Sequence, residues 1–456
     1  MKKLIKVAEY ILFVMFFVLL FFEKQKLSIL LTIPVLLFLY WYQKKAKIKN
    51  YPLFLFIISF LIRLVSILIL KVEVADDFKT MLEASRSLLQ LDVSFMNGFY
   101  FQTYPFQLGL VLYQALLLKI VNYTILLKIM NSIFTSLIVV IIYCISKKLV
   151  KEETARTVSF AYLFYLYPLY LNSVLTNQHI PALLTLIVVY LLITKEENWK
   201  NSILIAFLLA LANFFRTESI IIILGIIVYT ICYLKKDNYK NELMNLGILL
   251  LTYFALTTLT SQILLVSPLN KGVENKESLN KNVTLWKFYC GLNDEHNGIY
   301  NEEDVERYFS TNQEKELLKE RIQLDYKKFP VLFLKKEVIL WTQTNYDLRI
   351  TNDWNTSKIY EWILNYNQGF LNLMMIVFVI SLFPVKKKEE DSKIILIKIL
   401  LALYYGIYLF IEISPRYAYN LHMLCFLLLG IGLERIICKC NQLYTKNNQK
   451  LVERNR

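Results

Sequence analysis

The sequence is poor in charged residues, in glycine and in proline. Of its 456 residues, 19% are charged, 11 are glycine and 9 are proline. Soluble domains carry about a quarter charged residues, so this low charge, together with 56% hydrophobic residues, disfavours a soluble fold. No glycine- or proline-rich linker and no internal repeat is visible, which favours one continuous unit.

Cysteines in polar surroundings are also scarce. Five of the six cysteines lie in or beside apolar runs, and Cys290 alone lies in a long polar segment. One such cysteine cannot build a disulfide framework. Cys438 and Cys440 have no second pair of ligands nearby, so they do not predict a zinc site.

The hydrophobic residues are gathered in runs of about 16–24 residues, the length that crosses a hydrocarbon core of about 30 Å. The runs lie near residues 7–22, 27–42, 51–70, 104–121, 123–145, 157–172, 179–194, 201–215, 217–234, 243–266, 368–384, 393–411 and 416–438. We therefore predict an all-α polytopic protein of the cell membrane with about 12 or 13 transmembrane helices. The first run lacks a small-residue cleavage site before Glu23, so it is predicted to be a retained helix.

The formal net charge of +15 lies mostly in short links between the runs. Basic links mark the cytoplasmic side of a membrane protein, so this charge predicts orientation and not a nucleic-acid partner. Placing the links inside puts residues 71–103, 172–179, 216–218, 267–368 and 412–416 outside. On this topology the two runs between 104 and 145 cannot both cross, and one of them is predicted to be re-entrant or interfacial.

Three regions follow from this topology. Residues 1–266 form the N-terminal transmembrane helices and include an acidic first external loop at 71–103. Residues 267–367 form a long extracytoplasmic loop of mixed helical character, far longer than a connection needs to be. Residues 368–456 form the C-terminal transmembrane helices and a basic cytoplasmic tail.

The first external loop carries adjacent carboxylates, Asp76 and Asp77, where an apolar helix should leave the bilayer. Carboxylates are costly to desolvate there, which indicates a functional role. Apolar residues after Asp77 recur at helical spacing, so an amphipathic helix is predicted to lie on the outer leaflet. As the alternative to a catalytic role, Asp77 stands where it could cap this helix.

Polar residues recur at other helix ends that the topology places outside. They are Gln178 and His179, Arg216 and Glu218, and Glu412 and Arg416. Each has a structural alternative: Arg216 and Glu218 could form a boundary pair, His179 could start a helix, and Arg416 could anchor at the interface.

Glycosyl transfer from a lipid-linked donor combines these parts. A carboxylate removes the proton of an acceptor hydroxyl, which attacks the anomeric carbon. The leaving group is a lipid phosphate, whose charge an arginine can hold through two parallel hydrogen bonds. A phosphate leaving group needs no catalytic acid, so one base and one or two arginines suffice.

Several short motifs resemble the bacterial GT-C glycosyltransferases, a group that includes protein O-mannosyltransferases and aminoarabinose transferases of the family 39 type. The motifs are Asp77, Tyr100-Phe101, Tyr104-Pro105-Phe106-Gln107-Leu108-Gly109, Asn213-Phe-Phe-Arg216-Thr-Glu218, Gly291-Leu-Asn293, Gly298-Ile-Tyr300 and Ser414-Pro-Arg416-Tyr417. The resemblance spans roughly residues 53–433. It implies a GT-C-like multi-spanning fold, a polyprenyl-phosphate sugar donor and inverting transfer outside the cytoplasm.

Asp77 matches the first acid of that family's Asp-Glu motif, but Phe78 replaces the second acid and Asp76 precedes it. The base therefore lies between Asp77, which we favour, and Asp76. The family's Glu-Lys-Pro-Pro element is here Gln102-Thr103-Tyr104-Pro105, so its lysine is absent.

The remaining predicted roles follow from the same resemblance. They are donor-phosphate binding by Arg416 and Arg216, and substrate contacts by Glu218, Tyr104, Gln107, Tyr417 and His179. A divalent metal cofactor stays open, with Asp76 and Asp77 as candidate ligands. The expected partners are the polyprenyl-phosphate donor, membrane lipid and a cell-envelope acceptor, which is a polymer, a lipid or a protein.

Two alternative functions remain at this point. A polysaccharide polymerase or ligase would share the external arginines and the large external loop. A lipid or oligosaccharide transporter or flippase belongs to a different class, and transporters place polar residues near the bilayer midplane. Arg63, Lys119 and Lys128 are the main charges inside the runs, and an Arg63 that lined a cavity would favour transport.

Overall fold

The computed structural model describes residues 2–22, 29–45, 47–195, 198–233, 238–270, 284–311, 313–342, 358–383 and 391–454. Parts of the predicted external loop and of the basic links near 195–200, 235–240 and 386–393 therefore lie outside the described residues.

The described residues form α-helices and a few 3-10 turns. They are α1 Lys2–Phe22, α2 Ile29–Lys45, α3 Tyr51–Ile69, α4 Asp76–Leu89, α5 Phe99–Thr103, α6 Leu108–Ile120, α7 Thr124–Leu149, α8 Glu152–Tyr162, α9 Tyr167–Val174, α10 His179–Thr194, α11 Trp199–Phe215, α12 Ser219–Tyr233, α13 Tyr239–Val266, α14 Thr284–Gly291, α15 Glu302–Phe309, α16 Glu314–Asp325, α17 Phe329–Thr342, α18 Lys358–Leu382, α19 Ser392–Phe410 and α20 Ala418–Arg454. Short 3-10 turns precede α6 at Pro105–Gln107 and α20 at Pro415–Tyr417.

Six helical segments are long and apolar enough to cross a membrane, counted over the described residues. They are Tyr51–Ile69, Thr124–Leu149, Tyr239–Val266, Glu361–Leu382, Ser392–Phe410 and Pro415–Cys440. Four shorter apolar helices accompany them: Pro105–Ile120, His179–Thr194, Trp199–Phe215 and Ser219–Tyr233. The prediction of an all-α polytopic membrane protein is confirmed at this level.

The helix bundle has two chemically different ends. At one, Tyr51 at the start of α3 donates a hydrogen bond to the Arg156 carbonyl (3.1 Å), and the Lys151 amide donates to Glu434 of α20 (2.6 Å). This end, called the basic end, gathers the links rich in lysine and arginine. At the other, the loop end, Asp77 of α4 meets Arg416 just before α20. The contacts named here bring together parts of the links at 43–50, 147–156 and the α20 tail at one end, and Asp77 with Arg416 at the other.

The predicted run at 157–172 is two helices, α8 and α9, that meet at residues 163–166. Pro168 lies in the first turn of α9, where its missing N–H costs no helical hydrogen bond. The break lets buried tyrosines face the bundle, and Tyr162 stacks edge-on against Phe426 of α20.

Both ends of α6 lie beside segments of the loop end, which bears on the predicted conflict between the runs at 104–121 and 123–145. Its 13 residues span only about 20 Å at 1.5 Å per residue, less than a hydrocarbon core. The helix begins beside Gln107, which bonds Asn177, and Leu118 near its other end packs against Leu82 of α4 and Leu175.

α4 confirms the predicted amphipathic helix. Phe78, Met81, Leu82 and Ser85 lie on its buried face, as the sequence periodicity predicts. This face packs against α6, and the Ser85 hydroxyl donates to Gln114 (3.0 Å), so protein covers the face that was predicted to lie on lipid.

The external loop has a small aromatic core of its own. Trp286 and Tyr289 of α14 pack with Tyr308 of α15, and Leu317 and Leu318 of α16 cover them. The helical stretch predicted from Glu302 to Lys328 is thus two helices folded back on α14.

α17 returns from the loop into the bundle, where Trp341 stacks against Phe16 of α1 and Phe378 of α18.

Cysteine labelling tests the position of α6. Phe99 and Tyr123 flank α5 and α6, and their side chains are exposed, as is Lys148 at the basic end. In a background without native cysteines, Phe99→Cys and Tyr123→Cys should react with an impermeant maleimide from the same face of oriented vesicles. Lys148→Cys should react only from the opposite face. Labelling of Tyr123→Cys from the Lys148 side would mean that α6 crosses the membrane.

Candidate functional site

Three ion pairs lie together at the loop end, and two of them join segments that are far apart in sequence. Asp77 pairs with Arg416 (2.8 Å), Lys287 pairs with Glu412 (2.9 Å), and Arg216 pairs with Glu218. These six side chains and Tyr417, called here the ion-pair centre, belong to the starts of α4 and α12, to α14, to the end of α11 and to the segment between α19 and α20.

Tyr417 is the common neighbour of all three cations. The Arg216 guanidinium lies 4.9 Å from the centroid of its ring, the Lys287 ammonium 5.7 Å and the Arg416 guanidinium 5.9 Å. An aromatic face attracts a cation through its quadrupole, so one ring helps to hold three positive charges within a small volume.

The Asp77 carboxylate binds Arg416 and does not cap α4. The N-cap of α4 is Ala75, and no side-chain hydrogen bond caps this helix. The predicted cap at Asp77 is therefore wrong, because the helix begins two residues earlier than its sequence pattern indicates. Asp76 instead adopts a left-handed backbone conformation with φ of 51°, which aspartate tolerates better than most residues.

The Asp77–Arg416 pair is the most accessible of the three. The Asp77 side chain is 40% exposed and that of Arg416 22%, whereas the Glu412 side chain is 9% exposed. The Arg416 guanidinium also stacks over Phe78, 5.0 Å from the ring centroid. Arg416 is thus fixed against two rings while its acid partner faces the open side of the centre.

The Arg216–Glu218 pair is held by an amide network. Asn420 of α20 donates to Glu218 (2.6 Å), and Arg216 donates to the Asn177 side-chain oxygen (3.3 Å). The Asn177 amide group in turn donates to Gln107 (2.9 Å), which brings this predicted residue to the edge of the centre.

The sequence predicted only one partner of the Lys287–Glu412 pair. Glu412 was singled out at a helix end, while Lys287 was not. Burial lowers the pKa of Lys287, but the nearby Glu412 carboxylate raises it more, so the pKa lies above the usual lysine value. The signal for Lys287 was its position in α14, where Trp286, Tyr289 and Cys290 are buried on the other side.

Tyr104 and Tyr100 complete the wall beside this centre. The Tyr104 hydroxyl accepts a hydrogen bond from the Trp286 indole (3.1 Å). The Tyr100 hydroxyl is buried and has no partner among the described residues. Burial and the charge of Asp77 raise the pKa of Tyr100, so its hydroxyl stays protonated and can donate to a ligand.

The structure brings together most of the predicted site residues. Asp77, Arg416, Arg216, Glu218 and Tyr417 form the centre, Tyr104 and Gln107 lie at its edge, and Asp76 is adjacent in the chain. His179 is set deeper: it is fully buried and its Nδ1 lies 3.1 Å from the Tyr419 hydroxyl. Its predicted substrate contact stays a prediction.

Arg63 is enclosed by protein. Its side chain is fully buried and donates to Thr135 (2.8 Å) and to the Ser59 carbonyl (3.2 Å). It lines neither of two clefts, one beside the centre and one on the external loop helices.

The cleft beside the centre runs between Pro105–Gly109, the end of α11 and the end of α13. Its walls combine apolar groups such as Phe106 and Leu264 with the small polar groups Thr217, Thr257 and Ser261.

The described acids of the centre do not form a ready-made set of three metal ligands. Across the described ranges, no three His, Cys, Asp or Glu side chains come together as a ligand set. Asp77, one of the two candidate ligands, directs its carboxylate to Arg416.

No protein-family model matches the chain, and no curated protein matches it. The resemblance to GT-C glycosyltransferases therefore rests on the short motifs quoted above and stays a prediction.

A double-mutant cycle tests the coupling of Lys287 and Glu412. Lys287→Met leaves a buried carboxylate without its cation, which should cost about 3–5 kcal/mol of unfolding free energy. Lys287→Met/Glu412→Gln should recover most of this loss, measured by denaturant unfolding in detergent. Lys335→Met is the matched control, because its ion pair with Asp294 is more exposed and should contribute only about 0–1 kcal/mol. Additive losses in the double variant would contradict the pairing.

Proposed function

We propose that the protein is a membrane glycosyltransferase that transfers a sugar from a polyprenyl-phosphate donor to an acceptor outside the cytoplasm. One observation carries the proposal: an accessible acid, Asp77, lies against an arginine, Arg416, with two more cations around the same tyrosine ring. A proton acceptor and a concentrated positive charge side by side are what this reaction requires.

The balance of charge in the ion-pair centre supports anion binding at Arg416. Each cation is matched by one acid, so an incoming phosphate must compete with a carboxylate. Asp77 is the most exposed of the three acids. The phosphate of the donor would therefore take Arg416 from Asp77, and this exchange would free the carboxylate to act as a base.

The proposed reaction is a single displacement. Asp77 removes the proton of the acceptor hydroxyl, and the oxygen forms a bond to the anomeric carbon from the face opposite the phosphate. The bond between that carbon and the phosphate oxygen breaks, and the lipid phosphate leaves with its electron pair. Arg416 stabilises the developing charge, which is worth most in a partly desolvated site. The configuration at the anomeric carbon is inverted.

In this proposal, Arg216 and Lys287 act on the phosphate less directly than Arg416 does. Both remain paired with better-buried acids, Glu218 and Glu412, so they contribute positive potential more than direct bonds. Lys287 takes, in this proposal, the role of the lysine in the family's Glu-Lys-Pro-Pro element, which this chain lacks. Its neighbour Trp286 binds Tyr104, which belongs to the corresponding element here. The hydroxyl of Tyr100 is then free to bind the sugar or the acceptor.

The environment of the centre fits a lipid-linked substrate. The narrow cleft between α6, α11 and α13 begins next to Arg216, and its wall at α13 belongs to a candidate membrane-spanning helix. We propose that the loop end faces outside the cell membrane, because the opposite end carries the basic links. With α6 staying at the loop end, the remaining runs give 12 crossings.

Transport is the less favoured function. An Arg63 that lined a cavity would have favoured transport, and Arg63 is instead buried against Thr135 and Ser59. A polymerase or ligase would use the same kind of centre with a larger acceptor, so it differs from the proposal in acceptor only.

Replacement of the base tests the proposal. Asp77→Asn should lower sugar transfer by about 10²- to 10⁴-fold, the range expected for loss of a general base. Transfer is measured as release of polyprenyl phosphate by the purified protein, and as recovery of the envelope sugar that mass spectrometry shows to be lost on deletion. Folding and membrane insertion should be unchanged, because the Asp77 side chain is 40% exposed and asparagine can still accept a hydrogen bond from Arg416.

Asp76→Asn is the matched control. Asparagine tolerates the left-handed conformation of Asp76, so this variant should keep most of the transfer activity. Loss of transfer in Asp76→Asn alone would move the base to Asp76. Full transfer in both variants would refute the catalytic assignment.

A further inference from the structure

Lys336 of α17 is a buried lysine without a close acid partner among its hydrogen bonds. Its ammonium donates to three backbone carbonyls, those of Gly291 (2.9 Å), Leu409 (2.8 Å) and Ile411 (2.7 Å). The side chain has no exposed surface. A lysine ammonium has three donors, and here each of them has one carbonyl.

The three carbonyls belong to the two segments that carry the Lys287–Glu412 pair. Gly291 ends α14, in which Lys287 lies one turn earlier, and Leu409 and Ile411 end α19 just before Glu412. The last carbonyls of a helix have no partner within it and favour a positive charge. Lys336 therefore caps two helices at once.

Backbone hydrogen bonds join the same two segments directly. The Glu412 amide donates to the Lys287 carbonyl (2.7 Å), and the Ile413 amide donates to the Gly298 carbonyl (2.9 Å). Ile413 also forms an isolated parallel bridge with Ile299. These bonds set the position of Lys287 relative to Glu412. Lys336 of α17 binds carbonyls of both segments and so holds them together.

Two glycines make room for this arrangement. A Cβ at Gly291 would lie 2.1 Å from the Ile411 carbonyl carbon, and one at Gly298 would lie 2.9 Å from Cε of Lys336. Gly298 also has φ of 70°, which a side chain would strain. The side chain of Lys336 thus fits into a space that exists because Gly291 and Gly298 have no side chains.

We propose that Lys336 is a positioning residue that sets the Lys287–Glu412 pair and makes its geometry depend on pH. The inference rests on the proposed function only for its effect on transfer. Its structural part, the clasp formed by Lys336 and the carbonyls of Gly291, Leu409 and Ile411, does not depend on that function.

The charges that face Lys336 explain the dependence on pH. Burial lowers the pKa of Lys336 to about 7, and the titratable groups that face it raise the pKa by less. These groups are Cys290 of α14, whose thiol stays neutral because burial raises its pKa, Glu337 of α17 and Glu412 after α19. Below this pH the ammonium supplies three N–H donors. Above it the amine supplies two and turns a lone pair towards the third carbonyl, so the clasp weakens as pH rises through about 7.

Hydrogen exchange of the whole protein in lipid nanodiscs tests the clasp without any substrate. In Lys336→Met, the amides of Glu412 and Ile413 should exchange at least about tenfold faster than in the wild type, the change expected from loss of a charge-assisted hydrogen bond. Lys335→Met is the control: the exposed side chain of this neighbour pairs with Asp294, and its loss should leave both amides unchanged. Unchanged exchange in Lys336→Met would overturn the proposal.

The wild type provides a second measurement that holds even if Lys336→Met does not fold. Its Glu412 and Ile413 amides, corrected for intrinsic exchange, should lose protection between pH 6 and pH 8. Constant protection over that range would also overturn the proposal.

Transfer assays connect the clasp to the reaction. The wild-type kcat/KM for the donor should fall above about pH 7, and in Lys336→Met it should be low at pH 6 and lack this fall. If both exchange tests give the expected result but the wild type transfers no sugar, the proposed function is refuted and the clasp is not. Normal transfer in Lys336→Met with altered exchange would refute the positioning role.

Discussion

The pairing of charge around Tyr417 is the constraint on which the rest of the structure depends. Six charged side chains at the end of an apolar bundle are costly unless each one finds a partner. The Asp77–Arg416 and Lys287–Glu412 pairs can form only when α4 and α14 meet the segment between α19 and α20, and Asn420 of α20 binds Glu218 of the third pair at the same end. The fold of the membrane helices and the chemistry of the centre therefore arise from the same contacts.

The external loop contributes to this centre and is not only a connection. α14 buries Trp286 and Tyr289 in the loop's own core and presents Lys287 to Glu412. α17 then inserts Lys336 between the ends of α14 and α19. A change in the loop can thus reach the ion pairs through two helices.

The sequence predicted the parts of the site that stand at the ends of apolar runs. Asp77, Arg216 and Arg416 are conspicuous there because charge is rare in the runs around them. Lys287 was missed because it lies among many other charges in a polar segment, and only the packing of α14 selects it. The cap was misassigned because backbone geometry at Ala75 decides it.

The central claim is that the Asp77–Arg416 pair performs chemistry and is not only a structural contact. The most direct test is polyprenyl-phosphate release by purified Asp77→Asn/Arg416→Gln, which keeps a polar contact but removes both charges. We predict unfolding free energy within about 1 kcal/mol of the wild type, because this pair is the most exposed of the three and both of its charges are removed together. Transfer should be at least about 10²-fold lower. Wild-type transfer in this stable double variant would contradict the account.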